Sequence, residues 1–366
     1  MHRGLTLTRS KPYNPRAVTH STLLSEIAEQ PDVIARLIDA QTASIKAIAA
    51  QVRAAAPRFV TIAARGTSDN AARYAQYVFG SHNGMTTALA TPSLYTAPGD
   101  GGQRPALRDA LVIGISQSGQ SPDIVEVVKA GRRDGALTIA ITNDPASPLA
   151  NAAAHTIALG AGVERSVAAT KTYTAQLTAL AMLASCWRHS EPDSAMRALP
   201  DAARKALGAQ DQAQAAAQAL AQASRCVVLG RGYHYATAFE AALKIKELTY
   251  LLAEPYSSAD FKHGPMALIE GGFPVILIAS GAAFKGEFDA LRTMLADRKA
   301  TVVTFADAAH GPRANEYSVD LASASAEWLS PISGIIPAQL LAYHLARARG
   351  HNPDAPRTIS KVTLTR

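Results

Sequence analysis

The 366-residue chain contains only two cysteines. Cys186 sits in an apolar helical stretch and Cys226 in a strand-like one, without CxxC spacing. Buried free thiols are therefore expected, rather than a disulfide or a thiolate metal site. No apolar run approaches the roughly 20 residues that a membrane span requires, and there is no Gly/Ser-rich or charged low-complexity tract. The opening stretch MHRGLTLTRSKPYNPRAV is basic but lacks the apolar core of a secretory leader. A soluble, cytoplasmic protein with no membrane partner is the expectation.

Two further absences bear on ligands. A GxxxxGK(S/T) loop does not occur, which disfavours nucleotide. Residues 20–56 read as one or two amphipathic helices with Pro31 near a start, too short and too weakly basic for a full helix-turn-helix module. The formal charge is +7, but its densest groups, Arg132-Arg133 and the pair Arg347 and Arg349, are not interleaved with aromatics. That balance suits a small anionic ligand and a solvated surface better than nucleic acid.

What is present is α/β grammar. At this length, with 48% apolar residues, the chain can bury a large core and should divide into about two units. From Phe59 onward, short β-rich runs alternate with longer Ala-rich helical stretches, the pattern of parallel strands joined by crossover helices. FVTIAARGTSDNAARYAQYVF reads as strand, glycine turn and helix; ALVIGISQSGQSPDIVEVVKAGRRDG repeats it, and LTIAITND adds a strand. The second half follows the same order. CVVLGRGYHYATAFEAALKIKE lays Arg231-Gly232 on Arg65-Gly66, PVILIASG falls on LVIGISQSG, and ATVVTFAD falls on LTIAITND. A constant offset of roughly 165 residues argues for an internal duplication.

The expected fold is two tandem doubly wound parallel-sheet α/β units. The expected boundaries are a helical segment over 1–57, a first unit over 58–195, Ala/Gln-rich linker helices over 196–223, a second unit over 224–348 and a tail over 349–366.

The halves differ where chemistry would sit. In open parallel sheets, ligands bind beyond the carboxyl ends of the strands, where loops lead into helix N-termini. There the first half carries Ser116, Gln117, Ser118, Gly119 and Ser121, whereas its counterpart ASGAAFKGE lacks that serine density. Ser121 suits an N-cap, Pro122 the first helical position and Asp123 the first turn. Such a loop can cradle a phosphate monoester without a metal. It can equally be a turn whose hydroxyls only cap the helix. A second hydroxyl pair, Thr67-Ser68, lies at the same end of the neighbouring strand and favours the cradle.

In TAFEAALKIKELTYLL, Ala238, Ala241, Ile245, Leu248 and Leu252 make one apolar helical face, and Glu240, Lys244 and Glu247 form a separate stripe. On helix pattern alone the stripe reads as a surface ion-pair ladder. His263 precedes Gly264-Pro265, a turn signal that exposes its neighbours. A carboxylate base and an imidazole beside an anchored sugar are what proton transfer between adjacent carbons and ring opening require. Pattern does not say whether they meet.

ARGTSDN, SQSGQSPD, VAATKTYTAQL, LGRGYHYATAFEAALKIKE, DFKHGPMALI and PRTISKVTLTR together resemble, in order and spacing, the sugar isomerase (SIS) family of phosphosugar-binding domains. The likeness is to the isomerase half of glucosamine-6-phosphate synthase and extends from roughly residue 20 to the end. It implies that Ser116, Gln117, Ser118 and Ser121 form the phosphate loop, with Thr67 and Ser68 as further sugar-phosphate contacts. Glu247 matches the base acting between C1 and C2. His263 matches the ring-opening residue, which in the family reaches over from the partner subunit of a homodimer. Lys244 and Lys361 match active-site lysines, the second on a tail that closes over the sugar, and Val167 and Ala168 match backbone contacts to substrate. No metal or organic cofactor is implied.

Departures from the synthase pattern sharpen the expectation. Met1 is followed by His2 rather than a cysteine nucleophile, and only about 58 residues precede the first strand, so glutamine hydrolysis is not expected. Arg65 stands where the synthase has cysteine, Ser121 replaces its threonine and Ala169 replaces a serine. The combination is more similar to stand-alone SIS-type glucosamine-6-phosphate deaminases. Alternatives are another phosphosugar isomerase, a fructosamine-phosphate deglycase, or a non-catalytic phosphosugar-responsive regulator.

Overall fold

The computed structural model describes residues 21–97, 102–307, 313–324, 326–358 and 360–361. The expected N-terminal segment and tail therefore extend past the described residues at 1–20 and 362–366.

Strands β1 (Phe59–Ala63), β2 (Thr87–Leu89), β3 (Ala110–Ile115), β4 (Leu137–Thr142) and β5 (His155–Ala158) form one parallel sheet in the order β2-β1-β3-β4-β5. Strands β6 (Arg225–Gly230), β7 (Leu252–Ser257), β8 (Pro274–Ile278), β9 (Thr301–Ala306) and β10 (Glu316–Asp320) form a second, in the order β7-β6-β8-β9-β10. The two orders are the same once β6 is set on β1, as the internal offset predicts. β3 is buried along its whole length, the expected state of a central parallel strand covered by helices on both faces.

The strand runs named from sequence are the three inner strands of each sheet. Those not named, β2, β5, β7 and β10, are all outermost. They are partly exposed and their apolar signal is weaker; Pro255 in β7 is tolerated because an edge strand has a free side.

One apolar cluster runs through both halves, including Ile62, Ile113 and Tyr74 from the first and Ala236, Ile276 and Ile335 from the second. The sheets therefore share a core. Helix Gln30–Ala55, with Pro31 in its first turn, packs on helix Lys171–His189. The Ala/Gln-rich linking region forms helices Leu199–Ala206 and Gln210–Leu220. Both cysteines are buried and free, in helix Lys171–His189 and β6. No helix among the described residues is long and apolar enough to cross a membrane.

Helix Thr67–Asn83, which follows β1, lies against helix His234–Thr249, which follows β6. This contact between duplicated positions brings the switch-point loops of the first half under a helix of the second.

Candidate functional site

The chain turns sharply where β3 ends. Gly119 has φ +63, and a Cβ there would lie 2.1 Å from Ser147 Oγ, so both conformation and space require glycine. The Gln117 carbonyl accepts from the amide of Asn143 at 3.0 Å and from Thr142 Oγ1 at 3.2 Å, tying the loop to the end of β4. Ser116 Oγ accepts from the Gly119 amide at 3.1 Å and Ser118 Oγ from the Gln120 amide at 3.3 Å. Ser121 occupies the N-cap position of helix Pro122–Arg133, but its side chain makes no capping bond. Here the sequence expectation needs correction: the hydroxyl of Ser121 does not cap the helix, and Ser121 instead lines a cavity.

That cavity has a volume of about 340 Å³. Ser116, Gln117 and Ser118 line it with Ser121, as do Thr67 and Ser68 from the start of helix Thr67–Asn83. Arg65 joins the two loops: its guanidinium lies 2.9 Å from Asp123 Oδ2, with the arginine 48% exposed and the aspartate 2%. The resulting wall combines hydroxyls, a helix start and a fixed cation, all favourable to an anion.

The opposite wall comes from the second half. Lys244 and Glu247 of helix His234–Thr249 line the same cavity. A surface ladder is ruled out, because the side chains of Glu240 and Lys244 are 0% and 1% exposed. The reason is tertiary: the face carrying the stripe packs on the first half. Asn70 Nδ2 donates to Glu240 Oε2 at 2.7 Å and Thr67 Oγ1 to Glu240 Oε1 at 3.0 Å, while Lys244 Nζ donates to Thr67 Oγ1 at 3.1 Å. Lys244 Nζ is 2.6 Å from Glu247 Oε2 and 3.4 Å from Glu240 Oε1. Burial pushes the Glu240 carboxyl up to about 7, against the lowering effects of Lys244, Asn70 and Thr67. Burial also works against the charge on Lys244, but Glu247 and Glu240 outweigh it and hold the ammonium above its usual range. The apolar face expected on this helix is buried at Ala238, Ala241, Ile245 and Leu248. Leu252 is not part of it, because Tyr250 ends the helix at φ 58 and Leu252 begins β7 with 62% exposure.

Lys361 completes the rim, its Nζ 2.7 Å from the buried Glu164 Oε2. Val167 lines the cavity, whereas Ala168 is buried and it is Ala169 that contributes the next part of the wall. His263 follows the short helix Ser258–Lys262, is exposed, and does not line the cavity of its own chain.

Thr172, Gln176 and Ser360, to which the sequence pattern alone assigns no role, also line the cavity. Gln176 Nε2 donates to Ser68 Oγ at 3.0 Å. Thr172 and Gln176 are spaced i, i+4 among other polar residues of helix Lys171–His189, such as Thr174 and Thr178, so nothing marks them until the packing partner is known.

The chain as a whole has known relatives. The chain is 34% identical over 353 residues to the glutamine–fructose-6-phosphate aminotransferase (isomerizing) of Thermococcus kodakarensis, covering 93% of this chain and 57% of that protein. It therefore spans little more than half of that relative's length. Among solved structures, a Silicibacter pomeroyi protein described provisionally as a phosphosugar isomerase is 35% identical, with a TM-score of 0.81, 92% of this chain covered and 100% of that one. Glucosamine-6-phosphate deaminase of Thermotoga maritima is 21% identical with a TM-score of 0.75, covering 94% of this chain and 100% of that chain, a likeness of fold alone. The SIS domain family matches residues 55–186 and again 219–349. Each half of the duplication is matched once, and the chain belongs to the SIS family.

Proposed function

We propose that the cavity binds a phosphorylated aldose or ketose sugar and that the chain moves a proton between its C1 and C2, most specifically as an aminosugar-phosphate deaminase. In that reaction glucosamine 6-phosphate and water give fructose 6-phosphate and ammonia. One observation carries this reading: the serine loop of the first half and Glu247 of the second line a single cavity.

The serine loop and the start of helix Thr67–Asn83 hold the phosphate by hydroxyl and amide donors, fixing the sugar chain relative to Glu247. Glu247, 24% exposed and oriented by Lys244, removes the proton from C2 of the open-chain aldehyde. The electron pair passes through an enolamine, and the proton is returned at C1. The product is an imine at C2, to which water adds as ammonia leaves. Lys244 and Lys361 line the same cavity, and in this reading their positive charges stabilise the oxygen on which negative charge develops. His263, exposed on its own chain, assists pyranose opening when supplied by a second copy in a homodimer.

The test is incubation of the pure protein with glucosamine 6-phosphate, reading ammonia and fructose 6-phosphate together. Absence of both products rejects the deaminase. A parallel panel of galactosamine 6-phosphate, other aldose and ketose phosphates and phosphorylated fructosamine adducts separates the deaminase from a plain isomerase or a deglycase.

A further inference from the structure

Glu164 lies in the irregular stretch between β5 and helix Lys171–His189, and its side chain is 0% exposed. It does not line the cavity, yet all of its hydrogen bonds lead to residues at or beside the wall. Oε1 accepts from the amides of Thr170 at 2.9 Å and Thr172 at 3.2 Å. Oε2 accepts from Thr172 Oγ1 and from Lys361 Nζ, each at 2.7 Å. A carboxylate offers about four lone-pair positions, so these donors occupy the group fully.

We propose that Glu164 is the positioning residue that seats Lys361 at the cavity rim while fixing the wall from Val167 to Thr172. The identity of the cavity's occupant rests on the phosphosugar reading; the seating of Lys361 does not. Two of the four donors are main-chain amides at a helix start, which would otherwise be buried without partners. They hold the carboxylate in place whether or not the tail is present. The ammonium of Lys361 then meets a preformed buried anion, and the tail segment 360–361 is drawn against the sugar-facing wall. Glutamine cannot replace this group, because its amide NH₂ would oppose either the two backbone donors or the ammonium. Only the carboxylate bridges both.

Trypsin cleavage of the Arg357–Thr358 bond reads the seating: both residues are exposed, the contact of Arg357 with Tyr250 is the same in wild type and variants, and cleavage needs the segment to lift away. Full-length Glu164→Gln and Lys361→Met proteins are each expected to be cut there about tenfold faster than wild type, as loss of one charge-assisted hydrogen bond implies. The double variant should be cut no faster than either single one, because each change removes the same interaction. In a turnover assay both single variants should lose kcat, and the double variant should lose no more than Lys361→Met alone, because Glu164 acts on the reaction through Lys361. Lys361→Met leaves every amide bond of Glu164 intact, so it tests the seating even if Glu164→Gln fails to fold. A folded Lys361→Met protein cut at the wild-type rate overturns the proposal, as does additive acceleration in the double variant. Because cleavage does not depend on substrate, faster cutting without turnover of any phosphosugar would reject the proposed reaction and leave the role of Glu164 standing.

Discussion

Lys244 Nζ sits 2.6 Å from Glu247 Oε2 on the wall of the cavity, with the lysine buried and the carboxylate partly open to it. The lysine cannot swing away, because Thr67 Oγ1 accepts from it at 3.1 Å and Glu240 lies 3.4 Å behind. The carboxylate is thereby held on the wall of the cavity that the serine loop also lines.

Glu247→Gln removes a base while preserving shape. Turnover of glucosamine 6-phosphate should fall by about a hundredfold to ten-thousandfold, the usual contribution of general acid–base catalysis. Phosphosugar binding measured by calorimetry should stay near the wild-type level. Retained turnover would place the base elsewhere.

Gly119→Ala places a methyl group 2.1 Å from Ser147 Oγ at a residue with φ +63. The loss of stability should be about 2 to 4 kcal/mol, combining left-handed strain with overpacking. Urea unfolding measures this loss, and titration with inorganic phosphate should show weaker binding in the same variant. A variant as stable as wild type would show that the turn relaxes freely.

Glu240 links the site to pH. Its folded-state pKa, raised by burial from an ordinary 4.5 to about 7, lies above the unfolded value. Between those values the folded state binds the extra proton, so this contribution is fully present below pH 4.5 and is lost as pH rises through about 7. Relative to a Glu240→Gln variant, the wild type should lose stability on the order of 3 kcal/mol across that window. Thermal melts of both proteins from pH 4 to 8 give the difference, and parallel curves would show that Glu240 keeps its charge at no cost.

His263 offers a test of shared sites. Mixing inactive Glu247→Gln and His263→Ala proteins under exchange conditions should restore about a quarter of wild-type turnover, because half of randomly paired dimers carry one intact site. No recovery, with exchange verified by mass, would confine the site to one chain.

Much of this architecture was legible in the residues. Inner parallel strands are buried on both faces and read as near-continuous apolar runs, so β1, β3, β4, β6, β8 and β9 could be named and the duplication aligned. The edge strands could not, since one side of each meets solvent or loop and their apolar patterning is diluted. Within the site, the serine loop announced itself by composition, strand position and the Ser-Pro-Asp helix start. Thr172, Gln176 and Glu164 did not, because polar residues beside or within a helix of mixed composition carry no pattern until the partner element is known.

The sequence by itself determined the duplicated α/β order, the glycine turn at Gly119 and the place of the hydroxyl cluster, because local backbone preference and strand periodicity act over a few residues. Only the tertiary structure decided that Glu240 and Lys244 are buried, that Glu247 lines one cavity with the serine loop and that Lys361 pairs with Glu164. A helical stripe of charges is compatible with water or with a buried ligand wall. What distinguishes them is the neighbouring helix Thr67–Asn83, brought there by a core that both halves share.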